Sequence, residues 1–361
     1  MRYNPDPERG ELDQWLAVVR DRLKAYVAWQ IKEKCPAPDE VEIDVEFLRN
    51  GEFGAFADIQ GGTDIIEVNL GTIFILRDHF DGLMSDPRTF PTIVGREAES
   101  YRGEYPLNAT AIDVEAALGG SARPSRPRHE NREMVADMLF WAALYVLVAH
   151  ELVHCLFGHT RWLRATHNIS RIQDSLDKPA ADCAISSLDR QTLEMDADAV
   201  SAHWIMLNWV ATAEYPGPKP DFSDEPKRRL YVAIHLMGIV GLFFLFKSEM
   251  KELSDDDVLA LPHPPFLHRF TTVLAVLQEQ LVLNFVLDEG RAQSAFKFAL
   301  ESWGLTIRFI STGTIEAEPQ SEEGLKRATE QTIRLQELLL ERWKTFRTEL
   351  DPFKLSRELP E

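Results

Sequence analysis

Residues 138–149 form an unbroken run of twelve apolar side chains, and the polar residues that follow directly are His150, Glu151 and His154. A run of that length predicts a helix buried nearly all round. Carrying a carboxylate and two imidazoles into such a helix costs several kcal/mol unless partners await them. The chain is therefore constrained to a fold in which one helix crosses the core and something in that core satisfies these three groups.

The pattern His150-Glu151-x-x-His154 offers a reason for the burial. Histidines at i and i+4 stack on one helical face, and both imidazoles can reach a single zinc ion. The glutamate at i+1 is offset toward an open coordination position, where it can take a proton from zinc-bound water. The alternative is a core helix whose histidines are satisfied by neighbouring carbonyls. Catalytic zinc usually has three protein ligands. The metzincin spacing for a third histidine is not met, because Gly158 and His159 follow at a different interval. In LEMDADAVSAHWIM (193–206), Glu194, Ala197, Asp198 and Ser201 share one face of a predicted helix. Glu194 is the candidate third ligand, and Asp198 the candidate partner for the outer N–H of a ligating histidine. The alternative here is an acidic solvent-facing stripe, although Trp204, Ile205, Leu207 and Trp209 require much of that helix to be buried. One zinc ion per chain is expected.

With 361 residues, 45% of them hydrophobic, the chain can bury one large core or two modest ones. The formal net charge of −19 argues against a nucleic-acid partner, which needs a basic face. Cys35, Cys155 and Cys183 give no disulfide framework and fit a reducing compartment. The N-terminus is polar and lacks the apolar stretch of a secretory signal, so a cytoplasmic location is expected. Leu230–Phe246 is apolar between basic flanks. It is read as a buried core helix, with a membrane-associated protein anchored by 230–246 as the alternative.

Along the chain, residues 10–34 predict an amphipathic helix, and 41–48, 54–59 and 64–70 predict strands with a Gly61-Gly62 hairpin. Residues 71–83 return to helix, 101–131 read as a surface loop, and 161–190 as a polar insertion that either gates a cleft or is plain loop. Further helices are expected over about 191–212, 230–248, 267–288 and 322–350. The fold class is α+β: a small N-terminal sheet with a mainly helical core carrying the His-Glu-x-x-His helix. The division is a domain over 1–315 (helix and sheet 10–90, site helices 132–212, later helices 227–315) and a C-terminal amphipathic helix and tail over 316–361 packed on its outside.

HELVHCLFGH (150–159), EMDAD (194–198) and HPPFLHR (263–269), in that order, resemble the three motifs of gluzincin zinc peptidases. The similarity is to the HtpX, CAAX-prenyl-protease and Oma-like family, over about residues 135–275. The small soluble ImmA/IrrE and Lit-like bacterial peptidases are similar in the first motif and in a short preceding sheet. The resemblance implies a zincin-like fold, zinc held by His150, His154 and Glu194, Glu151 as base and Asp198 as support. It further implies that His263 and Arg269 shape the site; read without it, they form a proline-stopped turn with a helix-capping arginine.

The expected function is thus a zinc-dependent endopeptidase acting on protein or peptide substrates, with strand 64–70 as the sheet edge on which an extended substrate pairs. His159, His235 and His268 are expected to be structural or surface histidines rather than ligands, and Cys155 a small buried apolar residue. A different class of reading is a catalytically silent zinc-binding regulatory protein; the intact Glu151 argues against it, because a purely structural site needs no base.

Overall fold

Residues 1–91, 93–100, 111–119, 126–169, 171–173, 185–211, 225–245, 254–261, 263–283, 288–311 and 322–356 are described by a computed structural model. In chain order they form β1 (Arg2–Tyr3), α1 (Glu11–Lys34), β2 (Ile43–Leu48), β3 (Ala55–Gln60), β4 (Thr63–Asn69), α2 (Leu70–Ser85), α3 (Val114–Leu118), α4 (Glu130–Leu156), α5 (His159–His167) and β5 (Arg171–Gln173). The rest is helical: α6 (Ser187–Ala211), α7 (Glu225–Leu245), α8 (Asp255–Ala260), α9 (Phe266–Leu283), α10 (Glu289–Ser311) and α11 (Glu322–Leu350). The architecture is α+β, mostly helical with one small sheet.

The sheet has the order β1-β2-β4-β3-β5. Gly61 and Gly62 both take positive φ and close the β3–β4 hairpin, and β4 then lies parallel to β2. This corrects the edge-strand expectation: β4 is interior, paired on both sides. Its Ile65, Ile66 and Val68 are all buried, as a strand covered on both faces requires. The β3 edge instead receives β5, antiparallel, with Ala57 opposite Ile172. Arg171 fastens β5 there, pairing with Glu67 and with Asp58 at 3.8 Å and lying 5.0 Å over the Phe56 ring.

One face of the sheet, bearing Val45, Phe47, Ala55, Ala57, Ile66 and Val68, belongs to the main core together with α4. The small side chains of Ala55 and Ala57 let α4 lie close on β3. From α1, Leu16, Val19, Leu23 and Val27 recur at helical spacing and seal the same core. On its other sides α4 packs against α2, α6 and α7. At Gly238 of α7 the backbones come so near that a Cβ would sit 2.7 Å from the Leu139 carbonyl oxygen. Residues 231–243 of α7 are all buried, while Leu230 at its start is half exposed. Among the described residues, the helix long and apolar enough to cross a membrane is α4, and 94% of its apolar window is buried inside the fold.

The insertion over 161–190 is more regular than expected where it is described, with α5 running to His167 and β5 over 171–173; residues 170 and 174–184, and any gating role there, lie outside the described residues. Within the 101–131 loop, Val114–Leu118 is helical and 101–110 and 120–125 lie outside them. Cys35 and Cys155 are buried free thiols; Cys183 is outside the described set.

Candidate metal centre

The last two turns of α4 bring His150 and His154 onto one face, and α6 crosses α4 there. Ala197, fully buried, leaves room for the close crossing, and Glu194 one turn earlier meets the two imidazoles. Nε2 of His150 is 3.1 Å from Nε2 of His154 and 3.2 Å from Oε2 of Glu194. Nε2 of His154 is 3.6 Å from Oε1 of Glu194. His150, His154 and Glu194 are all buried, and one ligand atom from each falls within 4.8 Å of the others, so the group could hold a metal ion. Glu151, 1% exposed, follows His150 about 100° further round the helix.

The outer nitrogen of His150 is held by Asp198, Nδ1 to Oδ1 at 3.0 Å. Asp198 is gripped in turn by Arg269, whose Nε and Nη2 donate to its two oxygens at 2.8 and 2.9 Å. Arg269 also approaches Glu194 Oε2 at 3.8 Å, and His263 Nδ1 lies 3.6 Å from the same oxygen. The Pro264-Pro265 turn that starts α9 thus brings His263 and Arg269 to the triad. The Arg269 side chain pairs with the buried carboxylates.

His154 is held differently, by a chain the sequence reading missed. Its Nδ1 lies 2.9 Å from Nδ1 of His159, whose Nε2 lies 3.1 Å from Oδ2 of Asp196. The other oxygen of Asp196 accepts from the indole of Trp343 at 2.8 Å. His159 is fully buried beside the triad, not at the surface, and is not one of its three ligands. Gly158 makes this fold-back: its φ of +79° turns the chain from α4 into α5, and a Cβ there would lie 2.6 Å from the Phe353 carbonyl carbon. The only local signal was the Gly-His pair after the motif. Asp196 is two residues from Glu194, about 200° round the helix, so it belongs to the opposite face and a second layer of contacts. Trp343 carries no local signal at all. His235 hydrogen-bonds the Tyr231 carbonyl within α7, and His268 is buried; neither joins the triad.

The charges are strongly biased. Burial raises Glu194, but the His263 charge and the His150 hydrogen bond override it and hold the carboxyl well below its ordinary range. Burial likewise opposes the charged form of Asp198, and Arg269 more than offsets it. Burial disfavours the His150 cation, yet its hydrogen bonds to Asp198 and Glu194 hold its pKa well above the usual value, while burial keeps that of His154 well below. A proton and a metal cation would therefore compete for the lone pair of His150. The arrangement could hold a metal ion through two imidazole nitrogens and the Glu194 carboxylate. No family model, curated protein or solved structure matches this chain.

Proposed function

We propose that the chain is a zinc-dependent endopeptidase of the gluzincin type, with a zincin-like arrangement of a small sheet packed on the metal-bearing helix. The observation that carries the reading is the convergence of His150 Nε2 and His154 Nε2, 3.1 Å apart, on the Glu194 carboxylate, whose Oε2 lies 3.2 Å from His150 and whose Oε1 lies 3.6 Å from His154. Ligands about 2.0–2.1 Å from a tetrahedral zinc lie about 3.3–3.4 Å apart, close to each of these separations. Two imidazole lone pairs and a carboxylate facing one point in a buried site also need a cation between them. A nitrogen-nitrogen-oxygen set suits zinc.

Bound there, zinc would supply Lewis-acid polarisation to a scissile carbonyl and to a water. Glu151 takes the proton of that water and hands it to the leaving amine. Asp198 and Arg269 keep His150 turned toward the ion, and His263 and Arg269 flank Glu194 and help shape the site. With β4 interior, an extended substrate has no place on it; the part of β3 beyond the reach of β5 is one open sheet edge on which it could pair. The burial of residues 231–243 supports a core role for α7, and with it a cytoplasmic protein rather than one anchored by 230–246.

A silent zinc-binding regulator is the second reading, favoured by the burial of the centre: His150, Glu151 and His154 are 3%, 1% and 0% exposed. The deciding experiment is metal content and peptide-library cleavage for wild type, Glu151→Gln and Glu194→Gln. The peptidase reading expects zinc in the first two, little in the third, and cleavage in the wild type alone. Zinc in the wild type without cleavage selects the regulator.

A further inference from the structure

We propose that Trp343, on the last helix, is a positioning residue for the metal centre: through Asp196 and His159 it fixes which nitrogen of His154 carries the proton, and so couples metal loading to the docking of α11. The inference rests on the metal reading above and extends it to the C-terminal helix.

The direction of each hydrogen bond follows from the chemistry of its partners. An indole N–H only donates and a carboxylate only accepts, so Trp343 Nε1 donates to Asp196 Oδ1 across 2.8 Å. The second carboxylate oxygen calls for another donor, which is His159 Nε2 at 3.1 Å. A neutral imidazole has one proton, so Nδ1 of His159 is left as an acceptor. It faces Nδ1 of His154 at 2.9 Å, which must then be the donor. His154 is left with its lone pair on Nε2, the atom 3.1 Å from His150 Nε2 and 3.6 Å from Glu194. A helix more than a hundred residues downstream in sequence thereby sets the tautomer a metal ligand needs.

The same helix is docked on the two elements that supply the chain of bonds. Phe346 and Leu350 pack with Trp162 and Leu163 of α5, and Leu335 and Leu339 with Met195 of α6. These contacts flank Trp343 on both sides. Beyond α11, the amides of Leu355 and Ser356 donate to the Leu156 carbonyl at 2.8 and 3.2 Å, closing the end of α4 two residues after His154. Coupling between sites is reciprocal: if α11 aligns His154 for the metal, the metal must in turn hold α11 in place.

The test compares zinc affinity, by chelator competition on the full chain, for wild type, Trp343→Phe, Asp196→Asn and Trp303→Phe. Trp303 is the control, since its indole also makes a buried bond, to the Met237 carbonyl at 2.7 Å, but away from the metal centre. Trp343→Phe keeps the ring and removes the donor; affinity should fall about tenfold. Asp196→Asn offers one acceptor to two donors and should fall further, toward about a hundredfold. Trp303→Phe should bind zinc as wild type does. The visible spectrum of the cobalt-substituted protein should shift in the first two variants and not in the third. Zinc should slow amide exchange over 335–350 in the wild type, and less so in Trp343→Phe. Wild-type affinity and an unchanged cobalt spectrum in both Trp343→Phe and Asp196→Asn would overturn the proposal. A wild type that takes up no zinc is a separate result, which removes the metal reading itself. If Asp196→Asn fails to fold, Trp343→Phe decides.

Discussion

His150 and His154 are interchangeable in the motif, yet their outer nitrogens are held by different chemistry. His150 is tied to Asp198 and Arg269, a carboxylate locked by a two-pronged guanidinium. His154 is tied to His159 and, through it, to Asp196 and Trp343. Of these, Asp198 was readable because it shares a helical face with Glu194, whereas Asp196 and Trp343 are contacts of a second layer that no local spacing encodes. Away from the metal centre, burial pushes the pKa values of His79 and His235 down to about 4. His79 stacks on Trp303 with ring centroids 6.0 Å apart. In the unfolded chain each would titrate near about 6.5. As pH falls from that value toward 4, the unfolded state takes up protons that the folded state refuses, so stability declines across this window and is unaffected above it. Each site contributes on the order of 3 kcal/mol to the loss by pH 4. His79→Phe should flatten the decline in urea unfolding measured between pH 7 and 4.5; a slope identical to wild type would refute the assignment.

Among the elements, most of the long helices were legible and their partners were not; α5 and α10 were not foreseen. Apolar periodicity marked α1, and near-continuous apolar runs marked α4 and α7, close to their observed bounds. The three main strands were equally legible, but strand order is a long-range property. The Gly61-Gly62 turn announced a hairpin without saying which of its strands would lie beside β2, and β4 took that place. One side chain shows how an element can be fixed by a contact that composition hides. Arg132, fully buried near the start of α4, donates to the carbonyls of Met84, Asp86, Thr89, Phe90 and Ile93, gathering the turn that follows α2. Within that turn Phe90 takes φ +42°, a conformation bulky residues avoid and tertiary contacts must hold. Arg132→Met keeps most of the volume and strips the guanidinium from the carbonyls of Met84, Thr89 and Ile93, while those of Asp86 and Phe90 keep the amides of Thr89 and Ile93, so it should cost about 3–5 kcal/mol of stability. Chemical denaturation of the variant measures this; a loss under about 1 kcal/mol would show that water replaces the guanidinium.

For the molecule as a whole, the described helix long and apolar enough to cross a membrane is also the one that bears two of the three candidate metal ligands. By length and hydropathy α4 resembles a membrane span, but α1, α2, α6, α7 and the sheet surround it. Its apolar surface is what fixes the position of His150 and His154, since a helix held on all sides cannot rotate its ligands away. The sequence reading treated 316–361 as an outer helix and tail. Exposed Ile333, Leu338 and Leu340 do face outward, while Trp343, Phe346 and the amides of Leu355 and Ser356 reach elements that build the metal centre. That reach was illegible because nothing in an amphipathic repeat says what its apolar face will meet.

The central claim is that His150, His154 and Glu194 bind zinc, and zinc-edge X-ray absorption on the purified full-length chain tests it most directly. The account predicts one zinc surrounded only by nitrogen and oxygen at about 2.0–2.1 Å, two of the neighbours showing imidazole scattering. A sulfur neighbour at about 2.3 Å would place the ion on a cysteine instead, and no stably bound zinc would leave the buried triad without the role assigned to it.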